Sequence, residues 1–132
     1  MDHMARSVLE GVSFGLNDSL TLMRRLGINP SNVILTGGGT RSNLWKQMLS
    51  DIFKSPCTLV NAQEGAAYGA AILAAVGIKV KNSVEEVSLE WIEETERISP
   101  GTDVEIYEKM YSHYIELYPS LKDQFQSMSD LG

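Results

Sequence analysis

Three consecutive glycines at positions 37–39 separate a short apolar run, residues 33–35, from an amphipathic segment. Glycine costs backbone entropy on folding, so three in succession indicate a turn whose backbone another group approaches closely. In open α/β sheets, ligands bind beyond the carboxyl ends of strands, where helix N-termini point their N–H groups outward. A turn without Cβ atoms lets a phosphate or a sugar lie against the main chain, and Thr40 and Ser42 add hydroxyl groups beside it. This pattern predicts a ligand site; the alternative is a tight turn that binds nothing.

The spacing around the glycines limits the class of ligand. No glycine is followed by Lys and Ser or Thr at the spacing of a phosphate-binding P-loop, which excludes that motif. A dinucleotide fingerprint is only partly matched, because Ser42 stands where its third glycine belongs. The acidic residue that would hold a ribose is replaced by Asn61, although Glu64 lies slightly beyond it. The sequence therefore matches a dinucleotide-binding pattern only in part, and dinucleotide binding remains an alternative.

The elements that position this turn follow from hydrophobic periodicity. Apolar residues at steps of three and four predict a helix over residues 4–26, ended by Gly27. The apolar run predicts a strand buried on both faces, and Ser42 is the expected N-cap of a second helix. The further elements expected are a helix end at Lys54-Ser55-Pro56, a strand over 57–60 and a helix of small residues over 65–77 that packs closely against the sheet.

The second half of the chain contains two capping-box patterns, Ser83 with Glu86 and Thr102 with Glu105. The first predicts a short helix that ends at Trp91. The second predicts a longer helix that Pro119 breaks or kinks before it resumes over 121–128. Residues 95–99 fit an edge strand. The apolar side of the long helix carries Val104, Tyr107, Met110, Tyr111, Tyr114, Leu117 and Tyr118, which is typical of a core or an interface.

The alternation of helices and strands predicts an α/β fold, with a short, mainly parallel sheet whose strands are joined by helical crossovers. With 132 residues, we expect one domain over 1–132. Two clear strands are too few for an independent doubly wound sheet. Either the tail adds strands or the chain is part of a larger fold.

Composition excludes several functions. The net charge of −6 disfavours nucleic acid, whose binding proteins concentrate positive charge. The apolar stretch 66–76 is too short to span a bilayer, and the polar start MDHMARSV does not resemble a signal peptide, so a cytoplasmic location is expected. Cys57 is the only cysteine, which excludes an intrachain disulfide and predicts a buried thiol.

Other residues with reactive or polar groups fit structural roles. We expect Trp45 to belong to the core rather than to stack on a base, and Glu64 to complement the positive end of the next helix dipole. The two histidines are isolated in sequence, so no metal site is expected. Residues expected to be solvated are Asp18, Arg41, Asp51 and Asp103.

Three segments, LEGVSFGLNDSL, VILTGGGTRSNLWKQMLSDIF and EGAAYGAAILAAVG, occur in this order and spacing. Together they resemble the carboxyl-terminal end of an FGGY-family carbohydrate kinase, and the resemblance extends over essentially the whole chain. It implies the second of two actin-like, ribonuclease-H-like lobes. It also implies transfer of the γ-phosphoryl group of ATP to a sugar hydroxyl. The resemblance is nearest to family members that act on D-xylulose, and gluconate and glycerol are the alternative substrates.

By position, the resemblance implies that Gly38 and Gly39 face the α-phosphate and ribose of ATP, with Ser42 beside the adenine. It places the catalytic aspartate, the first phosphate loop and the sugar pocket upstream, so no catalytic residue is expected in this chain. ATP and Mg²⁺ would be the cofactors, and the sugar would be reached through the N-terminal lobe. We therefore expect a domain excised from a kinase that is inactive alone and forms homodimers through uncovered apolar surface. The alternative from another class is a non-catalytic dimerisation or regulatory module with a vestigial glycine turn.

Overall fold

A computed structural model of the chain describes residues 2–62 and 64–130. The chain forms five α-helices, three strands and one short 3₁₀ helix in these residues. The helices are α1 (Asp2–Arg25), α2 (Asn43–Phe53), α3 (Gly65–Gly77), α4 (Val84–Trp91) and α5 (Val104–Ser129). The strands are β1 (Val33–Leu35), β2 (Cys57–Val60) and β3 (Glu94–Ile98), and the 3₁₀ helix spans Gly38–Arg41.

The three strands form one mixed sheet in the order β1-β2-β3. β1 and β2 are parallel, with Val33 opposite Cys57, and α2 forms the crossover between them. β3 pairs with β2 antiparallel, with an irregular step between Leu59 and Val60. Both strands expected from the apolar runs have the predicted bounds, and the expected edge strand is β3, shifted by one residue. The α/β class is confirmed.

Helix α2 supplies four of the eight residues of the main buried apolar cluster. Ser42 is the N-cap of α2, as predicted, because its hydroxyl oxygen accepts a hydrogen bond from the Trp45 N–H at 3.3 Å. The helix ends at Lys54, whose left-handed conformation (φ 51°) directs its N–H to the carbonyls of Ser50 and Asp51. The buried apolar cluster around α2 comprises Phe14, Leu20, Met48, Leu49, Ile52, Phe53, Cys57 and Tyr107. Burying each large side chain of this kind contributes about 1.5–3 kcal/mol.

Cys57 is fully buried in this cluster, as predicted. Burial disfavours the thiolate and raises the pKa of Cys57 to about 11. At neutral pH the group is therefore a protonated thiol with a packing role.

The prediction that β1 is buried on both faces is wrong. Val33 and Leu35 pack against the core around α2, but the side chain between them, Ile34, is 60% exposed. Successive side chains of a strand point to opposite faces of the sheet. Only one face of β1 is therefore covered within the described residues.

Helix α1 buries only part of the apolar side that the steps of three and four predict. Leu20 of that side is buried and Leu9 packs against the core, as expected. Val8, Val12 and Leu16 of the same side are exposed, whereas Phe14, which lies outside the pattern, is buried. The Phe14 ring lies 5.3–6.3 Å from the rings of three tyrosines on α5, at centroid separations typical of favourable aromatic pairs. These tyrosines are Tyr107, Tyr111 and Tyr114. The aromatic cluster therefore decides which side of α1 faces inward.

Helix α3 has the predicted bounds but not the predicted packing. Its buried residues, Ile72 and Ala75, contact Val87 of α4. Most of its alanines are exposed. The expected close packing of its small side chains against the sheet is therefore wrong, because α4 is the element that lies against it.

The two predicted capping boxes have different outcomes. Ser83 caps α4 by accepting from the Glu86 N–H at 3.1 Å, as expected. Helix α5 begins after Asp103 without a side-chain cap, so the Thr102 capping box is wrong. The Thr102 hydroxyl donates instead to the carboxylate of Asp103. Pro119 lies inside α5, which continues through it.

Asp51 was expected to be solvated, and this prediction is wrong. Its side chain is buried, and Oδ1 accepts hydrogen bonds from the Gly101 N–H at 2.5 Å and from Gln47 Nε2 at 2.9 Å. These bonds join α2 to the segment between β3 and α5. Asp18 and Asp103 are exposed, as predicted, although Asp18 accepts from the Tyr111 hydroxyl.

Replacing Asp51 by Ala is expected to lower the free energy of unfolding by about 1–3 kcal/mol, because the hydrogen bonds from the Gly101 N–H and from Gln47 to a buried carboxylate are lost. Urea denaturation followed by circular dichroism measures this loss. Asp123→Ala, on the exposed face of α5, is the control and should change stability by less than about 0.5 kcal/mol. Equal stabilities of the two variants would show that the Asp51 bonds are not needed.

Candidate functional site

The glycine turn joins β1 to the 3₁₀ helix, and Gly37 forms its sharpest bend. Gly37 has φ 89° and ψ −177°, a conformation that residues with a side chain rarely adopt. Its carbonyl accepts two hydrogen bonds from Thr40, from the N–H at 3.1 Å and from Oγ1 at 2.7 Å. Glycine at position 37 is therefore required by the backbone itself.

Gly39 is required for a different reason, its contact with Trp45. A Cβ at Gly39 would lie 2.7 Å from Cζ3 and 2.9 Å from Cε3 of the Trp45 ring, closer than real contacts allow. The indole is fixed from its other end, because Nε1 donates to Ser13 Oγ of α1 at 2.9 Å. Trp45 packs against the core, as predicted.

Gly38 differs from both neighbours. It is exposed, and beyond its chain neighbours no heavy atom of residues 2–62 and 64–130 would lie within 4 Å of a Cβ placed there. Its φ is also outside the left-handed range. The described part of the chain therefore gives neither a steric nor a conformational reason for glycine at position 38.

Two helices begin in succession at this turn, the 3₁₀ helix at Gly38 and α2 at Asn43. The first N–H groups of a helix have no partner within it and carry partial positive charge. The N–H groups of Gly38 and Gly39 belong to this class. Arg41 is exposed in the same turn, as predicted. The turn thus presents hydrogen-bond donors and one cation in an otherwise acidic chain.

A cavity of about 430 Å³ opens beside the turn. It is lined by Gly39 and Thr40 of the turn, by β1, by residues of α2 that include Trp45 and Phe53, and by residues of α1 that include Leu16 and Met23. Gly39 and Thr40 are therefore accessible from this side, whereas Gly38 and Ser42 do not line the cavity. The sequence did not predict the contribution of α1, although the surplus apolar residues on that helix were a signal for it.

The structure brings the predicted site residues Gly38, Gly39 and Ser42 together in one turn, with Ser42 also acting as the cap of α2. The amino end of α3 lies close by, since a Cβ at Gly65 would be 3.8 Å from Thr36 Oγ1. This proximity was not predicted. Glu64 is exposed at the N-cap position of α3, without a side-chain cap bond.

The residues that a dinucleotide site would need have structural roles instead. The Asn61 side chain donates to the Trp91 carbonyl at 2.8 Å and accepts from the Glu93 N–H at 3.2 Å. It therefore joins the end of β2 to the segment after α4. Both histidines are exposed, and the described residues contain no group of three His, Cys, Asp or Glu side chains placed to hold a metal ion.

Comparison with known proteins identifies the family of the chain. Residues 1–78 match the C-terminal domain of the FGGY family of carbohydrate kinases, and the chain belongs to that family. It is 34% identical over 116 residues to the xylulose kinase of Staphylococcus xylosus, covering 87% of this chain and 24% of that protein. The gluconokinase of Bacillus subtilis (strain 168) is 31% identical over 131 residues, covering 98% of this chain and 25% of that protein.

A solved structure of a xylulose kinase has a similar fold. The xylulose kinase from Rhodospirillum rubrum matches with a TM-score of 0.77 and 28% identity, over 94% of this chain and 25% of that one. The chain therefore spans about a quarter of the length of the relatives it matches. The family and the actin-like kinase fold expected from the sequence resemblance are confirmed. No helix among the described residues is long and apolar enough to cross a membrane.

Replacing Gly39 by Ala is expected to lower the free energy of unfolding by about 1–3 kcal/mol, because the new methyl group overlaps the Trp45 ring. Gly38→Ala is the matched control, one residue away, and should change stability by less than about 0.5 kcal/mol. Urea denaturation measures both, and Trp45 emission in a Trp91→Phe background reports displacement of the indole. A Gly39→Ala variant with unchanged stability and emission would contradict the assigned contact.

Proposed function

We propose that residues 37–42 bind ATP within a carbohydrate kinase. Gly38 and Gly39 would face the α-phosphate and ribose, and Ser42 would lie beside the adenine. The observation that carries this proposal is the open space at Gly38. The fold accounts for Gly37 by its backbone angles and for Gly39 by Trp45, but it does not account for Gly38. A ligand that approaches the main chain at this point would account for it.

The electrostatics of the turn favour an anionic ligand in spite of the net charge of −6. Helix N-termini bind phosphate through backbone N–H groups, and both the 3₁₀ helix and α2 begin in this turn. The Arg41 guanidinium adds a positive charge at the same rim. A local set of donors is sufficient for one nucleotide, whereas a nucleic acid would need an extended basic surface.

Ser42 can cap α2 and contact a base at the same time. Its hydroxyl oxygen accepts the hydrogen bond from the Trp45 N–H, and its O–H remains a donor. A ring nitrogen of adenine is an acceptor of suitable chemistry. The cap would also fix the side chain in one orientation.

In the whole kinase, the reaction would be in-line transfer of the γ-phosphoryl group to a sugar hydroxyl. The residues of this chain would hold and orient the nucleotide. The base that takes the hydroxyl proton and the sugar pocket would come from the other lobe, so we expect no turnover by this chain alone. Mg²⁺ would accompany the phosphates; the described residues contain no group of three His, Cys, Asp or Glu side chains placed to hold it.

D-xylulose is the substrate we propose, because similar curated proteins are named xylulose kinases, such as those of Staphylococcus xylosus and Bacillus subtilis (strain 168). The gluconokinase of Bacillus subtilis makes gluconate the second candidate. We also propose one domain over 1–132, a cytoplasmic location and a role in xylose use.

Calorimetric titration of the chain with MgATP tests the nucleotide site. We expect weak binding, and Gly38→Val should weaken it at least about tenfold because its side chain occupies the space of the ligand. Gly77→Val is the matched control: Gly77 is also exposed, and no described atom beyond its neighbours would lie within 4 Å of its Cβ. It should bind like the unmodified chain.

Other outcomes of this titration would contradict the proposal. Binding of NAD in place of ATP would favour a dinucleotide site, and binding of neither nucleotide would favour a non-catalytic module. Steady-state phosphorylation of D-xylulose by the purified chain would overturn the expected inactivity.

A further inference from the structure

Helix α5 carries an apolar seam that continues beyond the point where the rest of the chain covers it. Its residues follow spacings of four and three without interruption, the pattern of a helix that packs along a partner helix. The members of the pattern are Tyr107, Tyr111, Tyr114, Tyr118, Leu121, Phe125 and Met128. The first three pack on Phe14 of α1. The last four are exposed by 65%, 41%, 52% and 69% in chain order, and we call them the α5 seam.

Three acidic residues follow the same repeat on the opposite side, Glu116 and Asp123 of α5 and its C-cap Asp130. They are spaced by seven residues, at the position farthest from the seam. The α5 seam itself contains no charged residue. Pro119, which removes one backbone hydrogen bond of the helix, also lies outside the seam. The pattern therefore suits an apolar helix as a partner.

We propose that the α5 seam pairs with the same seam of a second copy of this chain, with the two helices antiparallel. A groove of about 350 Å³ runs along the seam, between Asp18 of α1 and the side chains of Tyr114, Leu121 and Phe125. The groove continues the contact that α1 already makes with α5. A helix laid into it would extend the aromatic cluster of the core.

The exposed area is sufficient for a pair. The seam and the flanking Ile115 and Leu117 expose about 600 Å² per copy, so a dimer that covers all of this surface would bury about 1,200 Å², the lower end of specific interfaces. An antiparallel arrangement follows from α1, which covers the apolar side of α5 at residues 107–114. In a parallel pair, the two α1 helices would occupy the same level of the interface and collide. In an antiparallel pair, each α1 lies level with the far end of the partner helix.

Sedimentation velocity of the 132-residue chain over a range of concentrations tests the pairing. We expect a reversible dimer, and Phe125→Glu should raise its dissociation constant at least about tenfold, because a charge is buried in an apolar interface. Ser127→Glu adds the same charge outside the seam and should leave the dimer intact. Circular dichroism of both variants checks that α5 is folded. A monomer at all concentrations, or a dimer that Phe125→Glu does not weaken, would overturn the proposal.

Cysteine cross-linking tests the orientation. In an antiparallel pair centred on the seam, position 118 faces position 128 of the other copy. A mixture of Tyr118→Cys and Met128→Cys chains should therefore form a disulfide, while each variant alone should not. Cys57 does not compete, because it is buried. Disulfides within each single variant would indicate a parallel pair, and no disulfide in the mixture would also contradict the proposal.

Discussion

The contact between the Trp45 indole and Gly39 joins the core of this protein to its candidate site. Trp45 is on α2, the helix around which the core is built, and its ring lies where a side chain of Gly39 would be. Its Nε1 donates to Ser13, and the Ser13 hydroxyl donates to the Leu9 carbonyl. The turn is thus held against α2 and α1 together. Displacement of the indole would move the glycine turn and loosen the core at the same time.

This contact also separates the structural glycines from the one that the fold does not explain. A motif of three glycines suggests one shared purpose, but each position here meets a different constraint. Gly37 has backbone angles that disfavour side chains, Gly39 is limited by the indole, and Gly38 is open to solvent. Of the three, Gly38 alone therefore has no structural role among the described residues. That residue is the first of the 3₁₀ helix, and N–H groups at a helix start are donors that suit an anionic ligand.

The sequence predicted the elements that depend on local signals. It did not predict the features that depend on contacts between residues distant in sequence. The bounds of β1 and β2, the Ser42 cap of α2 and the full length of α3 follow from apolar runs and turn residues within a few positions. The burial of Asp51 depends on the Gly101 amide, fifty residues away, and the inward side of α1 depends on tyrosines of α5. For the same reason, the glycine turn could be predicted but the cavity formed with α1 could not.

Amide NMR spectra of the chain, recorded while MgATP is added, test the central claim most directly, because each glycine has its own signal. Our account predicts progressive shifts of the Gly38 and Gly39 amide signals, with those of Gly69 and Gly77 on α3 unchanged. Shifts confined to other regions, or no shift at Gly38 when the nucleotide is in large excess, would contradict it.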